Sequence, residues 1–185
     1  MSTNEAPAAD GSSEQRRRFE AEPDIYIDPS KRYTATMTTS HGTMTIALDP
    51  IAAPRAVNSF VFLSRYHYFD GVAFHRIIPG FVIQGGDPEG TGRGGPGYRF
   101  SDELPKAGRY EVGSLAMANA GPDTNGSQFF IISGPDGVRL PPKYSLFGAV
   151  TSGREVITKI DALGSKSGEP TEPVVIESVT IDEAD

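Results

Sequence analysis

The sequence predicts a mainly β fold in which eight short strands and two helices surround one core, as a sandwich or a closed barrel. Three observations predict it. Gly (21) and Pro (15) are frequent in a chain of 185 residues, which sets many turns. Short apolar runs recur between turn residues, with β-branched side chains in period two. Only two stretches carry the helical period. The length fits one ordinary domain, and a chain of this size buries roughly 70% of its unfolded surface without covalent staples.

The elements follow in order. Residues 1–32 are polar, bear Ala, Ser and Pro, and lack periodicity, so a disordered tail is expected, with the domain spanning 33–185. Within the tail, the run 24–28 (DIYID) also suits a path along the domain surface. From Tyr33, residues Tyr33, Ala35 and Met37 alternate with Thr34, Thr36 and Thr38. Met44, Ile46 and Leu48 then alternate with Thr43, Thr45 and Ala47. These are two strands, and Gly42 of Ser40-His41-Gly42 can supply the positive φ of a tight hairpin between them. Residues 54–65 switch period: Val57, Phe60, Val61 and Ser64 share a helical face, and Pro54 suits a first helical position. A second helix is expected over 152–163, with Ser152 and Glu155 as a capping box, Val156, Ile157, Ile160 and Leu163 as its apolar face, and Gly164 as its stop. The remaining strands are read at 72–78, 81–84, 112–117, 129–133, 146–150 and 174–181. In the last, the apolar phase slips between Ile176 and Val179, as at a β-bulge.

Composition narrows the function. The chain has no Cys, which removes disulfides, thiol nucleophiles and Cys-type zinc sites. His41, His67 and His75 form no H-x-x-x-H pair, so neither a metal nor a cofactor is expected. The net charge of −7 is uneven: −2 over residues 1–32, +1 over 33–168 and −6 over 169–185. Without a basic stripe, nucleic acid is a poor partner. No apolar run approaches the ~18 residues of a membrane span. Arg16, Arg17 and Arg18 precede no apolar stretch of a secretory signal, so a cytoplasmic monomer is expected.

Two stretches stand out chemically. In 74–87 (FHRIIPGFVIQGGD), Pro79-Gly80 breaks two apolar runs, and Arg76 and Gln84 interrupt them with polar groups. A cation in an apolar strand costs desolvation unless it is paired or used. Arg76 is therefore either a solvent-facing edge residue or a functional group. In 115–132 (LAMANAGPDTNGSQFFII), Asn119, Gln128 and Phe130 flank a Gly/Pro/Asn loop, and Ala116, Ala118 and Ala120 keep one wall low. A hairpin loop satisfying its own backbone is the plainer alternative.

Together these motifs resemble the cyclophilin family of peptidyl-prolyl cis–trans isomerases, over about residues 33–181. The resemblance implies a closed eight-stranded antiparallel β-barrel capped by two helices. It implies Arg76 as the catalytic group and an apolar proline pocket at Phe81, Val82, Phe130 and Leu140. It implies polar contacts to the peptide from Gln84, Asn119, Gln128 and the Ala118 backbone. The run 139–148 (RLPPKYSLFG) carries two further pocket positions, and Tyr144 stands where a His is common. A Trp that some members carry falls at Arg139, and many have Met at Val82. The implied partners are proline-containing peptides and unfolded clients, with reduced affinity for cyclosporin-type ligands. A module that holds Pro segments without turnover is the alternative.

Competing signals are weaker. Residues 92–97 fit G-x-G-x-x-G, but Pro96 prevents the helix a dinucleotide site needs, so a flexible glycine-rich rim is the better reading. Asn125-Gly126-Ser127 is a glycosylation sequon of little meaning without a secretory route. Strand alternation points His75 away from Arg76 as a core histidine. No G-x-S-x-G elbow of a serine hydrolase is present.

Overall fold

The structure is a computed structural model and describes residues 5–185. The described residues form eight strands and three helices: β1 (Arg32–Thr39), β2 (Gly42–Leu48), α1 (Pro54–Arg65), β3 (Arg76–Ile78), β4 (Val82–Gly85), β5 (Ser114–Met117), β6 (Phe129–Ile132), α2 (Pro135–Val138), β7 (Leu146–Ser152), α3 (Arg154–Asp161) and β8 (Ile176–Ala184). Every pairing is antiparallel. The strand order is β3-β4-β6-β5-β7-β2-β1-β8.

The sheet curls so that its ends approach each other. Ala73, before β3, bridges Val175, before β8. The Phe74 amide donates to the Val174 carbonyl at 2.9 Å, and the Ile176 amide to that of Val72 at 2.8 Å. Among the described residues no continuous ladder joins β3 to β8, and the named strands form a curled half-barrel. The reason lies in the chain before β3. Val72 and Phe74 are buried, Arg76 is exposed and Ile77 is buried again, so period two breaks at His75. The regular strand begins only at Arg76.

Helix α1 has the expected bounds. Its first amides are capped from a distance: the Glu103 carboxylate accepts from the Arg55 amide at 3.1 Å and the Ala56 amide at 2.9 Å. Pro54 needs no such partner. The apolar face of α1 joins the main core with Phe60, Val61 and Leu63. Helix α3 departs from expectation. Ser152 pairs with Thr45 as the end of β7 and cannot cap. Gly153 takes the N-cap at φ +80°, and no side chain caps the helix. The cap must be glycine, since a Cβ there would lie 2.2 Å from the Thr43 carbonyl oxygen. The four-residue α2 carries no helical period and was not expected from sequence. The bulge in β8 is present: Thr38 pairs with Ser178 and Thr39 with Ile176, leaving Glu177 unopposed.

Residues 5–31 form no helix or strand, whereas Arg32, read from sequence as part of the tail, opens β1 opposite Ala184. The segment 5–31 nevertheless lies against the domain rather than free of it, which differs from the expected tail. Phe19 is 4% exposed and stacks edge-on to Phe62, with Tyr66 and Tyr98 nearby. Asn58 of α1 accepts from the Tyr26 amide and donates to the Asp24 carbonyl. Residues 1–4 lie outside the described residues. The physical reason for docking is sparse but well placed apolar content: Phe19 and Ile27 reach the core from an otherwise polar stretch.

Candidate active site

The sheet register builds the site. Arg76 pairs with Gln84, Gln84 with Phe130, Phe130 with Ala116 and Ala116 with Leu146, one row across five strands. The next row, Ile77, Ile83, Ile131 and Leu115, is fully buried in the main core. Side chains on successive strand positions face opposite sides. The Arg76 row therefore faces away from the core. Its apolar members and Val82 and Ile132 on the same face form a second apolar cluster, joined by Tyr110 and flanked by Phe81, Ala118, Leu140 and Tyr144.

Over this cluster lies a cavity of about 160 Å³ lined by Arg76, Phe81, Val82, Gln84, Ala118, Asn119, Phe130, Leu140 and Tyr144. Nine of the ten residues singled out from sequence thus meet around one hollow. The tenth, Gln128, stands beside it. The Arg76 Nη1 donates to Gln84 Oε1 at 3.2 Å, Gln84 Nε2 to Gln128 Oε1 at 3.2 Å, and Gln128 Nε2 to the Gly94 carbonyl at 3.1 Å. This relay orients three polar side chains along the rim. Arg76 forms no ion pair among the described residues. Its stem packs on Gly168, where a Cβ would lie 2.9 Å from Arg76 Cγ.

The Pro79-Gly80 turn places Phe81. The Phe81 amide donates to the Ile78 carbonyl at 3.1 Å, and Gly80 has φ +75°. Phe130 meets Tyr144 edge-on, with centroids 5.3 Å apart. Asn119 is more committed than expected: Nδ2 donates to the Lys143 carbonyl at 2.9 Å and Oδ1 accepts from the Gly121 amide at 3.1 Å. Its side chain ties the 119–121 loop to the wall that carries Tyr144.

Two residues of the site escaped the sequence reading. The Tyr110 hydroxyl donates to the Tyr144 carbonyl at 2.6 Å and accepts from the Tyr144 amide at 3.1 Å. It fixes the pocket wall from below, and a lone Tyr in a polar loop gave no signal of that. Asp87, fully buried, accepts from the amides of Glu89, Thr91 and Gly92. Burial pushes its carboxyl up, but these amides outweigh burial and hold it below its ordinary range. Asp87 thus anchors the glycine-rich loop, whose residues 92–97 form no helix and line a larger cavity of about 910 Å³. His75 is half-buried under this loop, with Nδ1 buried and unpartnered. Burial holds its imidazole below the ordinary range, against the pull of Asp87. Asn125 of the sequon is fully buried, its amide bound to Phe100 and Asp102.

A curled antiparallel half-barrel thus carries an apolar hollow with, on its rim, a guanidinium that forms no ion pair among the described residues. The chain belongs to the cyclophilin-type peptidyl-prolyl cis–trans isomerase family, whose model matches residues 34–181. It is 44% identical over 167 residues to the probable peptidyl-prolyl cis–trans isomerase A of Mycobacterium leprae, covering 80% of this chain and 91% of that protein. It is also 44% identical over 160 residues to peptidyl-prolyl cis–trans isomerase-like 2 of Cryptococcus neoformans, covering 82% of this chain but only 28% of that longer protein. The crystal structure of a Cryptosporidium parvum cyclophilin-type isomerase, determined in the presence of the dipeptide Ala-Pro, is similar with a TM-score of 0.75 and 35% identity, covering 80% of this chain and 98% of that one. Among the described residues, no helix is long and apolar enough to cross a membrane.

Proposed function

We propose that this protein accelerates rotation about X–Pro bonds in flexible or unfolded polypeptides, with Arg76 as its catalytic residue. The X–Pro bond prefers trans by only ≈ 0.5–1 kcal/mol, yet amide resonance sets a barrier near ~20 kcal/mol. Lowering it needs no nucleophile. It needs a site that binds the twisted amide better than either planar form. Twisting localises a lone pair on the prolyl nitrogen, and a guanidinium N–H directed there stabilises the twisted state selectively. Arg76 suits this role because it is always charged and its donors are rigid. The bond to Gln84 uses one of its five N–H donors.

Phe81, Val82, Phe130, Leu140 and Tyr144 hold the proline ring dry. Gln84, Gln128 and the main chain of Ala118 and Asn119 fix the flanking peptide, so rotation is confined to one side of the bond. A single charge-assisted hydrogen bond is worth ~1.5–3 kcal/mol, so pocket and clamps supply the rest of the acceleration. The observation that carries the reading is Arg76, free of any carboxylate among the described residues, on the rim of the apolar hollow. The seam between 71–74 and 174–176 supports reading the half-barrel as a barrel closed by irregular chain. With Arg139 exposed at the position of the family Trp, cyclosporin-type ligands bind with reduced affinity.

Exchange spectroscopy on one X–Pro peptide, with and without the protein, tests the proposal. Faster exchange is expected. Binding without faster exchange leaves a recognition module and removes the enzyme.

A further inference from the structure

The larger cavity shares Gln84, Ala118 and Asn119 with the hollow beside Arg76, so the two adjoin. Its charged lining is lopsided: Arg18, Arg93 and Arg99 against Glu89 alone. None of the three guanidiniums is ion-paired among the described residues. In a chain of net charge −7, three unneutralised cations at one cavity form a local exception.

Arg18 comes from the N-terminal segment, outside the span 34–181 that the family model matches. Its neighbours on both sides are pinned. Arg17 Nε donates to the Tyr68 carbonyl at 3.3 Å, and the Phe19 amide donates to the Pro96 carbonyl at 2.9 Å while its ring is buried. Gly97, at φ +100°, permits the approach, since a Cβ there would lie 2.2 Å from the Phe19 carbonyl oxygen. Arg93 rides on the loop that Asp87 anchors.

We infer that the protein selects proline-containing peptides bearing an anionic side chain beside the proline, and that Arg18, with Arg93 and Arg99, forms the subsite that receives it. This rests on the isomerase reading of the adjoining hollow. The shared chemistry is a carboxylate or phosphate oxyanion meeting guanidinium forks. Complementary charge of this kind sets specificity more than total affinity.

The test uses the full chain and peptides around one Ala-Pro bond, with Glu, phosphoserine or Gln placed in turn at each of the two positions on either side. Both exchange rate and binding by titration are read. At one position or more, Glu or phosphoserine is expected to exceed Gln about three- to tenfold in kcat/KM at low ionic strength, and the advantage to shrink in ~0.5 M salt. Arg18→Glu, an exposed change checked by its melting temperature, is expected to remove most of that ratio. A carboxylate-only or phosphate-only preference identifies the oxyanion. Equal values for Gln and both anionic peptides at every position, or a ratio that survives Arg18→Glu, overturns the subsite. If no peptide exchanges faster, the isomerase reading fails, and the ratio of dissociation constants still decides the subsite.

Discussion

Arg76 and Gln84 lie directly opposite each other on β3 and β4, and the guanidinium donates to the Gln84 amide oxygen at 3.2 Å. The pair is therefore aligned by backbone register as well as by its own hydrogen bond. Arg76 is exposed and outside the packed core, so its removal leaves the fold intact. Arg76→Ala is expected to lower kcat/KM on a proline peptide about ten- to a hundredfold, the loss of one charge-assisted hydrogen bond. Arg76→Lys keeps charge without the rigid fork and is expected to recover only part of the rate. A near wild-type rate in Arg76→Ala would remove this residue from its role.

Tyr110 acts on the site through Tyr144. Its hydroxyl satisfies both the amide and the carbonyl of Tyr144, and it is 3% exposed. Tyr110→Phe leaves two backbone groups without that partner, at a cost of about 1–3 kcal/mol. Because Tyr144 packs edge-on to Phe130, the proline pocket loosens as well. Denaturant unfolding is expected to report the stability loss, and kinetics a raised KM with a smaller change in kcat. A fall in kcat with KM unchanged would contradict a positioning role.

How far the sequence discloses this molecule depends on where each signal is local. Period-two alternation locates β1 and β2 because each strand has one core face and one outward face. The 3.6 period locates α1, and the slip at Ile176 to Val179 locates the bulge. Ser152 misleads because a capping box and a strand end compete for the same residue, and pairing with Thr45 wins. Phe19 misleads differently: one aromatic in a polar stretch has no period, yet Phe62 and Tyr66 at the end of α1 and the distant Tyr98 receive it. The pocket residues are legible as motifs, whereas the hydroxyl of Tyr110 acts across a sequence gap of 34 residues and leaves no pattern.

His75 gives the stability a pH dependence. Burial lowers its pKa below the ordinary 6.5, Asp87 opposing and Arg76 adding to the shift. The folded state thus holds the neutral ring, and the unfolded chain takes the proton first as pH falls below 6.5. Stability from this group is full above that pH and is lost as pH falls through the lower folded value. The Asp87 contribution is lost only further down, below its ordinary 3.8. Thermal unfolding at pH 7.5 and 5.5 is expected to show a smaller difference in His75→Gln than in the wild type. An identical difference in both proteins would assign the loss to other groups.

The docking of the N-terminal segment turns on Phe19. The ring is 4% exposed against Phe62, Tyr66 and Tyr98, and Arg16 stacks over it at 4.7 Å. A buried Phe→Ala change costs about 3–5 kcal/mol where the site cannot yield. Here the chain around it makes few other core contacts, so the segment can detach before the sheet opens, and detachment limits the cost to global stability. Phe19→Ala is therefore expected to speed amide exchange and proteolysis through residues 15–22 while protection of β1 and β2 persists. Gly97, which the Phe19 backbone approaches closely, lies on the loop beside Arg93, so exchange around 92–97 should rise with it. Unchanged protection at residues 15–22 would mean that the polar anchors, Arg17 on Tyr68 and Glu22 on Arg55, hold the segment without the ring.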